Sequence, residues 1–268
     1  LISIVRVFQN SPALEPGIQS GDIIYAVDGE EVTGQDLNTV VSQIKGQEGT
    51  TIPITVYRSE TGEYLELNVE RRQVEVDTVD HYMMDGQVGY IAIYEFDEPT
   101  AEQFKAAVAD LQQQGMESLI VDVRDNPGGL VTSVVEIADE LVPEGLIVYM
   151  EDKTGARQEH FADSEYLGLP LVVLINEESA SASEILAGAV RDHQVGTLIG
   201  TNTFGKGIAQ TIYPLQDGTA LKLTTANYYT PSGENIHGVG IAPDIEVELD
   251  SSSEEDAQLN AAWEYLTG

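Results

Sequence analysis

The sequence contains no cysteine, and this excludes several kinds of site at once. A chain of 268 residues without cysteine forms no disulfides, offers no thiolate metal ligands and has no cysteine nucleophile. Its four histidines lie far apart, and no two show the H-x-x-x-H spacing of a zinc site. We therefore expect neither a metal nor an organic cofactor.

Basic residues are scarce. Twelve Lys and Arg residues face 46 Asp and Glu residues, which gives a formal net charge of −34. A field of this sign repels phosphates, so we expect no nucleic acid partner. The acidic residues are spread along the whole chain, as is typical of a solvated surface.

Long apolar runs are also missing. No stretch approaches the roughly 18 apolar residues of a membrane helix, and no secretory leader opens the sequence. The chain starts directly in the strand-like run LISIVRVF. We therefore expect the sequence to be part of a longer chain.

Residues 1–72 read as a small α+β unit. Two strand-like runs, 1–8 and 23–29, are separated by Pro- and Gly-rich turns. Residues 36–46 have the apolar spacing of a helix, with Gly46 placed to cap its end. Residues 51–59 and 63–71 then alternate like the two strands of a hairpin.

Residues 73–250 predict a second domain, and residues 72–86 are predicted to connect the two units. From residue 86 to about 200, apolar strands alternate with helices, which indicates a mostly parallel sheet covered by helices. A helix over 100–115 would start with a capping box of Thr100 and Gln103 and end at Gly115. The runs at 219–230 and 245–249 would close the sheet region. Residues 251–268 read as an acidic tail with a short helix.

The stretch EESASASEI, residues 177–185, allows two interpretations. Ser181 and Glu184 fit an S-x-x-E capping box, and Ser179 is an alternative cap. A serine between a buried strand and a helix N-terminus also lies near free backbone N–H groups, which can stabilise an oxyanion. The glycines of NPGG, residues 126–129, follow another buried strand. Strand ends of a parallel sheet meet in one crevice, so the two loops can share a site.

A serine nucleophile needs a base. His193 lies near the same helix, but Lys206 in TFGKG has the more suggestive surroundings, since it is flanked by glycines and Phe204. A lysine in an apolar pocket holds its proton less tightly and can act as a base near neutral pH. A surface lysine in a glycine turn is the simpler alternative.

Four blocks carry a resemblance to a known family: LIVDVRDNPGGL, ESASASEILAGAVRDH, IGTNTFGKGIAQ and YYTPSGENIHGVGIAPD. In this order they resemble the carboxyl-terminal processing, or tail-specific, proteases. Residues 11–34 resemble the middle of the PDZ domain that precedes the catalytic core in this family. The chain begins after the point where the carboxylate-binding loop of a PDZ domain would lie.

The resemblance implies roles for particular residues. Ser181 matches the nucleophile, Lys206 the base, and Gln210 the glutamine that orients the base. The oxyanion donors would be the backbone N–H groups of Gly128 or Gly129 and of Ala182. Asp192 matches a supporting residue. The implied fold is a PDZ-like α+β domain, residues 1–72, followed by a protease core of the crotonase or Clp type with a mostly parallel sheet.

The implied function is a serine endopeptidase that cuts proteins near their C-termini. Its partners would be proteins or peptides with free C-termini. The resemblance also leaves room for a regulatory protein and for a homo-oligomer. It implies an extracytoplasmic location (periplasmic, cell-envelope or secreted) and is compatible with a membrane anchor outside this sequence.

Three other interpretations remain open. A non-catalytic PDZ-type scaffold that keeps the protease fold is the main alternative, although Ser181, Lys206 and NPGG are all present. An acyl-transfer or hydratase enzyme with similar oxyanion loops would not need the PDZ-like unit. A Ser-His-Asp protease is disfavoured because the sequence lacks a G-x-S-x-G motif.

Overall fold

The protein forms two compact units in the computed structural model, Leu1–Asp77 and Thr78–Gly268. The structure describes residues 1–5, 7, 11–74, 77–215, 219–249 and 255–268, without the side chains of residues 212 and 214. None of the helices in these ranges has the length and apolar character needed to cross a membrane.

The first unit is an antiparallel sheet with one helix beside it. The strands run in the order β1-β2-β4-β5, with β3 next to β2. Their bounds are β1 Ile2–Ser3, β2 Ile23–Val27, β3 Glu30–Glu31, β4 Thr51–Arg58 and β5 Glu63–Glu70, and the helix is α1 Leu37–Ile44. The predicted hairpin is confirmed, because β4 and β5 pair along their whole length.

Two local expectations for this unit were wrong. Of the run 1–8, only Ile2–Ser3 form a strand within the described residues, and Arg6 and Phe8 lie outside them. Helix α1 ends at Ile44, and its C-cap is Lys45 in an extended conformation, so Gly46 does not serve as the cap. Its N-terminus is capped by Asp36, whose carboxylate accepts the Thr39 N–H at 3.0 Å.

The main sheet of the second unit has the order β15-β12-β11-β8-β7-β6. The pairs from β15 to β7 are parallel, and β6 runs antiparallel to β7. The bounds are β6 Val79–Met84, β7 Val88–Ile93, β8 Ser118–Asp122, β11 Leu171–Ile175, β12 Thr197–Gly200 and β15 Ile245–Glu246. The expected mostly parallel sheet is confirmed. Strand β6 lies where we expected only a connector.

Helices cover both faces of this sheet. They are α2 Thr100–Gln113, α3 Val131–Leu141, α4 Ala182–Asp192 and α5 Ala257–Thr267. Alternate residues of β8 enter two separate cores: Leu119 and Val121 pack in the core with α2, α3 and α4, and Ile120 packs in the core with α5. Burial on both faces explains why β11 is a continuous apolar run and why the centre of β8, residues 119–121, is apolar.

A second sheet, antiparallel and four-stranded, has the order β10-β9-β14-β13. Its bounds are β9 Gly145–Asp152, β10 Arg157–Ala162, β13 Ile208–Pro214 and β14 Ala220–Tyr229. We expected residues 219–230 to close the main sheet, and this was wrong. Most of β14 is exposed, a pattern that a strand covered on both faces cannot show.

The predicted capping box of α2 was also wrong. Thr100 is the first helical residue, and Pro99 occupies the N-cap. The Thr100 hydroxyl bonds to Glu95 and Asp97, and the Gln103 side chain accepts the Thr78 N–H at 2.8 Å. The end of the helix follows the prediction, since Gly115 adopts a φ of 91° just after the C-cap.

Candidate active site

Ser181 lies between the end of β11 and the start of α4, where it is the N-cap residue. Its backbone has a φ of 56° and a ψ of −110°, a combination that non-glycine residues rarely adopt. Holding a residue there costs about 1–3 kcal/mol, and such residues cluster at functional sites. The serine sits on a sharp strand-to-helix turn, the kind of position that the nucleophile occupies in α/β-hydrolases.

The two neighbouring serines are engaged in packing. Ser179 and Ser183 are completely buried. The Ser179 hydroxyl donates to the Val123 carbonyl at 2.7 Å, and the Ser183 hydroxyl donates to the Asn126 carbonyl at 2.9 Å. Both hydroxyls thus tie the serine loop to the segment that contains NPGG.

Gly128 lies directly against the Ser181 turn. A Cβ atom at this position would lie 2.7 Å from the Ala180 carbonyl oxygen and 2.9 Å from the Ala182 nitrogen. Gly128 has a φ of 104° and Gly129 a φ of 145°, so both use backbone conformations that favour glycine. The NPGG loop therefore approaches the serine as closely as backbone allows.

The backbone N–H groups near Ser181 differ in their hydrogen-bond partners. The Gly128 N–H donates to the Asn126 side-chain oxygen at 2.8 Å. For Gly129 and Ala182, no acceptor of the backbone N–H occurs among the described residues. Ala182 is the first residue of α4, so its N–H also lies at the positive end of the helix dipole. These two groups are free to receive a ligand oxygen.

A pair of amide and carboxylate side chains joins the two loops. Asn176 donates to the Asp125 carboxylate at 2.8 Å and accepts the Asp125 N–H at 2.9 Å. The Ala180 N–H donates to the Asn126 carbonyl at 3.0 Å. Sequence reasoning did not single out Asn176, although its position directly after a buried strand was a usable signal.

The Glu184 side chain connects the Ser181 turn with the loop that contains Lys206. Its carboxylate is fully buried and accepts from four donors: the Ser181 N–H at 2.9 Å, the Thr203 hydroxyl at 2.6 Å, the Gly205 N–H at 2.7 Å and the Lys206 N–H at 2.8 Å. The bonds from Ser181 and Lys206 reach the same oxygen, Oε2. The sequence predicted only the contact with Ser181, as half of a capping box.

The glycines around Lys206 let its loop pack closely against residues 237–240. A Cβ at Gly205 would lie 3.0 Å from the Gly240 nitrogen, and one at Gly207 would lie 2.7 Å from the His237 nitrogen. The Lys206 side chain is half-buried, and none of the ion pairs of the described residues involves it. An amine without a carboxylate partner suits a base that must lose its proton.

Tyr228 is a third polar side chain at this point, and sequence reasoning missed it. It is buried, and its hydroxyl donates to the Lys206 carbonyl oxygen. Burial raises the pKa of Tyr228 well above its ordinary value, so the phenol stays protonated at neutral pH.

Gln210 and Asp192 lie farther from Ser181. Gln210 is in β13, just after a bulge, and its side chain is exposed with no hydrogen bond to another described residue. Asp192 ends α4, which places it about 16 Å along the helix from Ser181. Its carboxylate accepts the Ser232 N–H at 2.9 Å and pairs with Arg191 at 3.0 Å.

Neither His193 nor a cluster of metal-binding side chains contributes to the site in the part of the chain that the structure describes. His193 is the C-cap of α4, and its ring bonds to the Leu146 carbonyl at 2.8 Å, away from Ser181. Within the described ranges, no group of three or more His, Asp and Glu side chains is arranged to hold a metal ion.

Comparison with known families agrees with this arrangement. Residues 87–247 match the model of "Peptidase family S41", and residues 3–58 match a PDZ domain. The chain belongs to peptidase family S41. The expected resemblance and fold class, a PDZ domain with an S41 protease core, are therefore confirmed.

Curated relatives share most of this chain. A carboxy-terminal-processing protease of Bartonella bacilliformis is 40% identical over 256 residues, which cover 92% of this chain and 58% of the relative. A carboxyl-terminal-processing protease of Synechocystis is 35% identical over 278 residues, which cover 100% of this chain and 65% of the relative. The chain thus spans between half and two thirds of the length of the curated relatives it matches.

Among solved structures, the photosystem II D1 C-terminal processing protease is 30% identical, with a TM-score of 0.62. The match covers 99% of this chain and 72% of that protein. A family S41 protein from Bacteroides fragilis has a TM-score of 0.66 at 22% identity, a likeness that shows the fold alone.

Proposed function

We propose that this protein is a serine endopeptidase that cleaves protein chains near their C-termini, with Ser181 as nucleophile and Lys206 as base. The observation that carries the proposal is the buried Glu184 carboxylate, one oxygen of which accepts the backbone N–H groups of both residues. This shared oxygen holds two segments 25 positions apart in the sequence at one point. The strained backbone of Ser181 adds support, because such strain persists where function requires it.

The chemistry follows from these positions. Neutral Lys206 takes the hydroxyl proton of Ser181 as Oγ attacks the scissile carbonyl carbon. The tetrahedral intermediate then expels the amine, which leaves with the proton from Lys206, and an ester to Ser181 remains. Water attacks this ester and gives its proton to Lys206, which passes it to the Ser181 Oγ as the ester bond breaks and the new C-terminus is released.

The N–H groups of Gly129 and Ala182 are the best candidates for the oxyanion donors. Both lack an acceptor among the described residues, whereas the Gly128 N–H is engaged by Asn126. Donors fixed in advance stabilise the developing charge without reorganisation, and losing one typically costs about 100-fold or more in rate. Gly128 then serves mainly by letting the loop approach Ser181.

The first unit suits recognition of substrate tails. It matches a PDZ domain, and PDZ domains bind extended peptides by adding them to a sheet edge. The proposed substrates are proteins with free C-termini, and the proposed location is outside the cytoplasm, as in the envelope or a secreted fraction. Gln210 as orienting residue and Asp192 as supporting residue remain parts of this proposal.

The test is digestion of an unstructured protein such as casein by the chain, by Ser181→Ala and by Lys206→Ala over a pH series. We expect cleavage only by the unaltered chain, at a rate that rises with pH. Casein cleavage that survives in Ser181→Ala would refute the assigned nucleophile. If neither this chain nor a longer form that contains it cleaves casein, the non-catalytic PDZ scaffold becomes the better account.

A further inference from the structure

Thr203 is the side-chain donor among the four donors to the Glu184 carboxylate, and the mechanism above gives it no role. It is 3% exposed. Its hydroxyl donates to Glu184 Oε1 at 2.6 Å and accepts the Ile241 N–H at 2.7 Å. A hydroxyl has one hydrogen to donate, and a backbone N–H can only donate. The hydrogen of the Thr203 hydroxyl is therefore committed to Glu184.

The backbone of Thr203 is held by the same neighbour. Its N–H donates to the Ile241 carbonyl at 3.1 Å, so Thr203 and Ile241 share two hydrogen bonds. Gly240 packs against this pair so closely that a Cβ there would overlap the Thr203 carbonyl oxygen. Thr203 thus has a fixed place, from which its hydroxyl reaches the buried carboxylate.

The bond from Thr203 decides how the Glu184 carboxylate is turned. Oε1 accepts from Thr203 and Gly205, and Oε2 accepts from the N–H groups of Ser181 and Lys206. The last torsion of a glutamate side chain has no sharp preference of its own, so the donors set its value. Without the hydroxyl, Oε1 keeps one donor and the carboxylate can turn. Oε2 would then move relative to the two N–H groups that it joins.

We propose that Thr203 is a positioning residue that sets the orientation of the Glu184 carboxylate and, through Oε2, the relative placement of Ser181 and Lys206. This inference rests on the proposed Ser181/Lys206 function. Thr203 is buried and offers no surface to a substrate. Loss of its hydroxyl therefore affects the chemical step and leaves substrate binding in place, which lowers kcat and not the affinity reported by KM.

The first experiment measures steady-state cleavage of fluorescently labelled casein by the unaltered chain and by Thr203→Val. Valine keeps the branched shape of threonine and removes the hydroxyl. We expect kcat to fall by about tenfold, as is typical for loss of a hydrogen bond to a charged group. KM should stay within about twofold. An unchanged kcat, or a loss confined to KM, would overturn the proposal.

The matched control is Thr230→Val, which also removes a buried threonine hydroxyl. Thr230 is 5% exposed, its hydroxyl bonds to that of Ser232 at 3.0 Å, and its methyl group packs against Gly188 in α4. We expect this variant to lose stability in urea and to keep its kcat. Equal losses of kcat in the two variants would trace the effect to general destabilisation and contradict the positioning role.

A second pair of variants separates the hydroxyl from packing and also serves if Thr203→Val does not fold. Thr203→Ser keeps the hydroxyl, and Thr203→Ala differs from it only by that group. We expect Thr203→Ser to keep kcat close to that of the unaltered chain although it loses a buried methyl group. Thr203→Ala should show the loss of kcat expected for valine. An alanine variant as active as the serine variant would refute the inference.

A double-mutant cycle tests whether Thr203 acts through Glu184. If it does, adding Thr203→Val to Glu184→Gln should lower kcat by no more than about twofold beyond Glu184→Gln alone, because residues that share one interaction are not additive. A further loss as large as that of Thr203→Val in the unaltered chain would show that Thr203 acts by another route.

The proposed function and this inference fail in different ways. If casein cleavage does not depend on Ser181 and Lys206, the proposed function is wrong. The anchoring by Thr203 is then judged by hydrogen exchange of the backbone amides of residues 203–207, which should be faster in Thr203→Val than in Thr230→Val. Equal exchange would contradict it. If cleavage depends on both residues and Thr203→Val behaves like Thr230→Val, only the positioning role is wrong.

Discussion

Both ends of helix α4 carry polar groups but hold them in different ways. At the N-terminal end, Ser181 has a strained backbone, and the Glu184 carboxylate, 0% exposed, accepts from four donors. At the C-terminal end, Asp192 and Arg191 form ion pairs that reach the surface at Glu234. One end holds the proposed reacting groups in place, and the other anchors a loop to the helix.

The comparison shows which features of a polar residue indicate a functional role rather than a purely structural one. Backbone strain and a fully buried carboxylate are costly, and they persist only where the surrounding structure compensates for them. Partly exposed ion pairs contribute little to stability and need no further reason. We therefore expect substitutions at the first end to change activity most and those at the second end to change mainly stability.

The largest expected effect comes from Gly128→Ala. The new methyl group would meet the Ala180 carbonyl oxygen and the Ala182 nitrogen at less than 3 Å, and both belong to backbone that cannot yield easily. We expect casein cleavage to fall by about 100-fold or more, since a displaced oxyanion donor has that effect. Gly155→Ala is the matched control, because Gly155 has a φ of 83° but open space around it. Equal losses in both variants would show that backbone strain alone is responsible.

Glu184→Gln should produce the next largest effect. The amide keeps the size of the side chain but replaces one acceptor oxygen with a donor that faces backbone N–H groups. We expect a loss of roughly 3 kcal/mol in the free energy of unfolding, measured with urea, and a fall in kcat of about tenfold or more. Glu178→Gln is the control, since Glu178 is exposed. An unchanged kcat in Glu184→Gln would contradict the bridging role of this carboxylate.

Asp192→Asn should affect stability more than activity, in a pH-dependent way. Burial alone would raise the pKa of Asp192, but hydrogen bonds from Thr230 and Ser232 and the charge of Arg191 lower it below the ordinary 3.8. A lowered folded-state pKa gives stability that is present above pH 3.8 and is lost as the pH falls through the folded-state value. We expect Asp192→Asn to be less stable than the unaltered chain at pH 7 and the gap to close at low pH. A stability difference that widens at low pH would show that folding does not lower the pKa of Asp192.

The smallest effect is expected from Glu234→Gln. This carboxylate pairs with Arg191 at 2.6 Å but is 45% exposed. Exposed pairs contribute less than about 1 kcal/mol, and salt screens them. Urea unfolding at low and high ionic strength measures the contribution. If Glu234→Gln lowered the free energy of unfolding as much as Glu184→Gln, the contrast between the two helix ends would disappear.

Much of the site could be predicted from the sequence, because its parts lie at recognisable junctions. The strands before NPGG and before ESASASE are rich in apolar residues, and parallel strand ends meet at one edge. The contacts that join these parts could not be predicted. The bond from Tyr228 to Lys206 depends on β14 leaving the main sheet, and local periodicity says nothing about which sheet a strand joins.

The errors in the fold have similar causes. Thr100 fits a capping pattern, but the chain turns one residue earlier, and the hydroxyl bonds to the preceding loop instead. Strand β6 has a mixed polar pattern because it is an edge strand, exposed along much of its length. Sequence patterns detect elements that are buried on a regular face, which β6 lacks. Helix α2 has such a face and was predicted, but the pattern does not show which residue caps it.

The most direct test of the central claim is to identify the residue that an activated ester modifies. The chain would be treated with p-nitrophenyl acetate, digested and mapped by mass spectrometry, beside Ser181→Ala and Lys206→Ala. We predict an acetyl group on Ser181 in the unaltered chain and none on that peptide in either variant. An acetyl group on Ser179 or Ser183, or undiminished labelling of Ser181 in Lys206→Ala, would contradict the account.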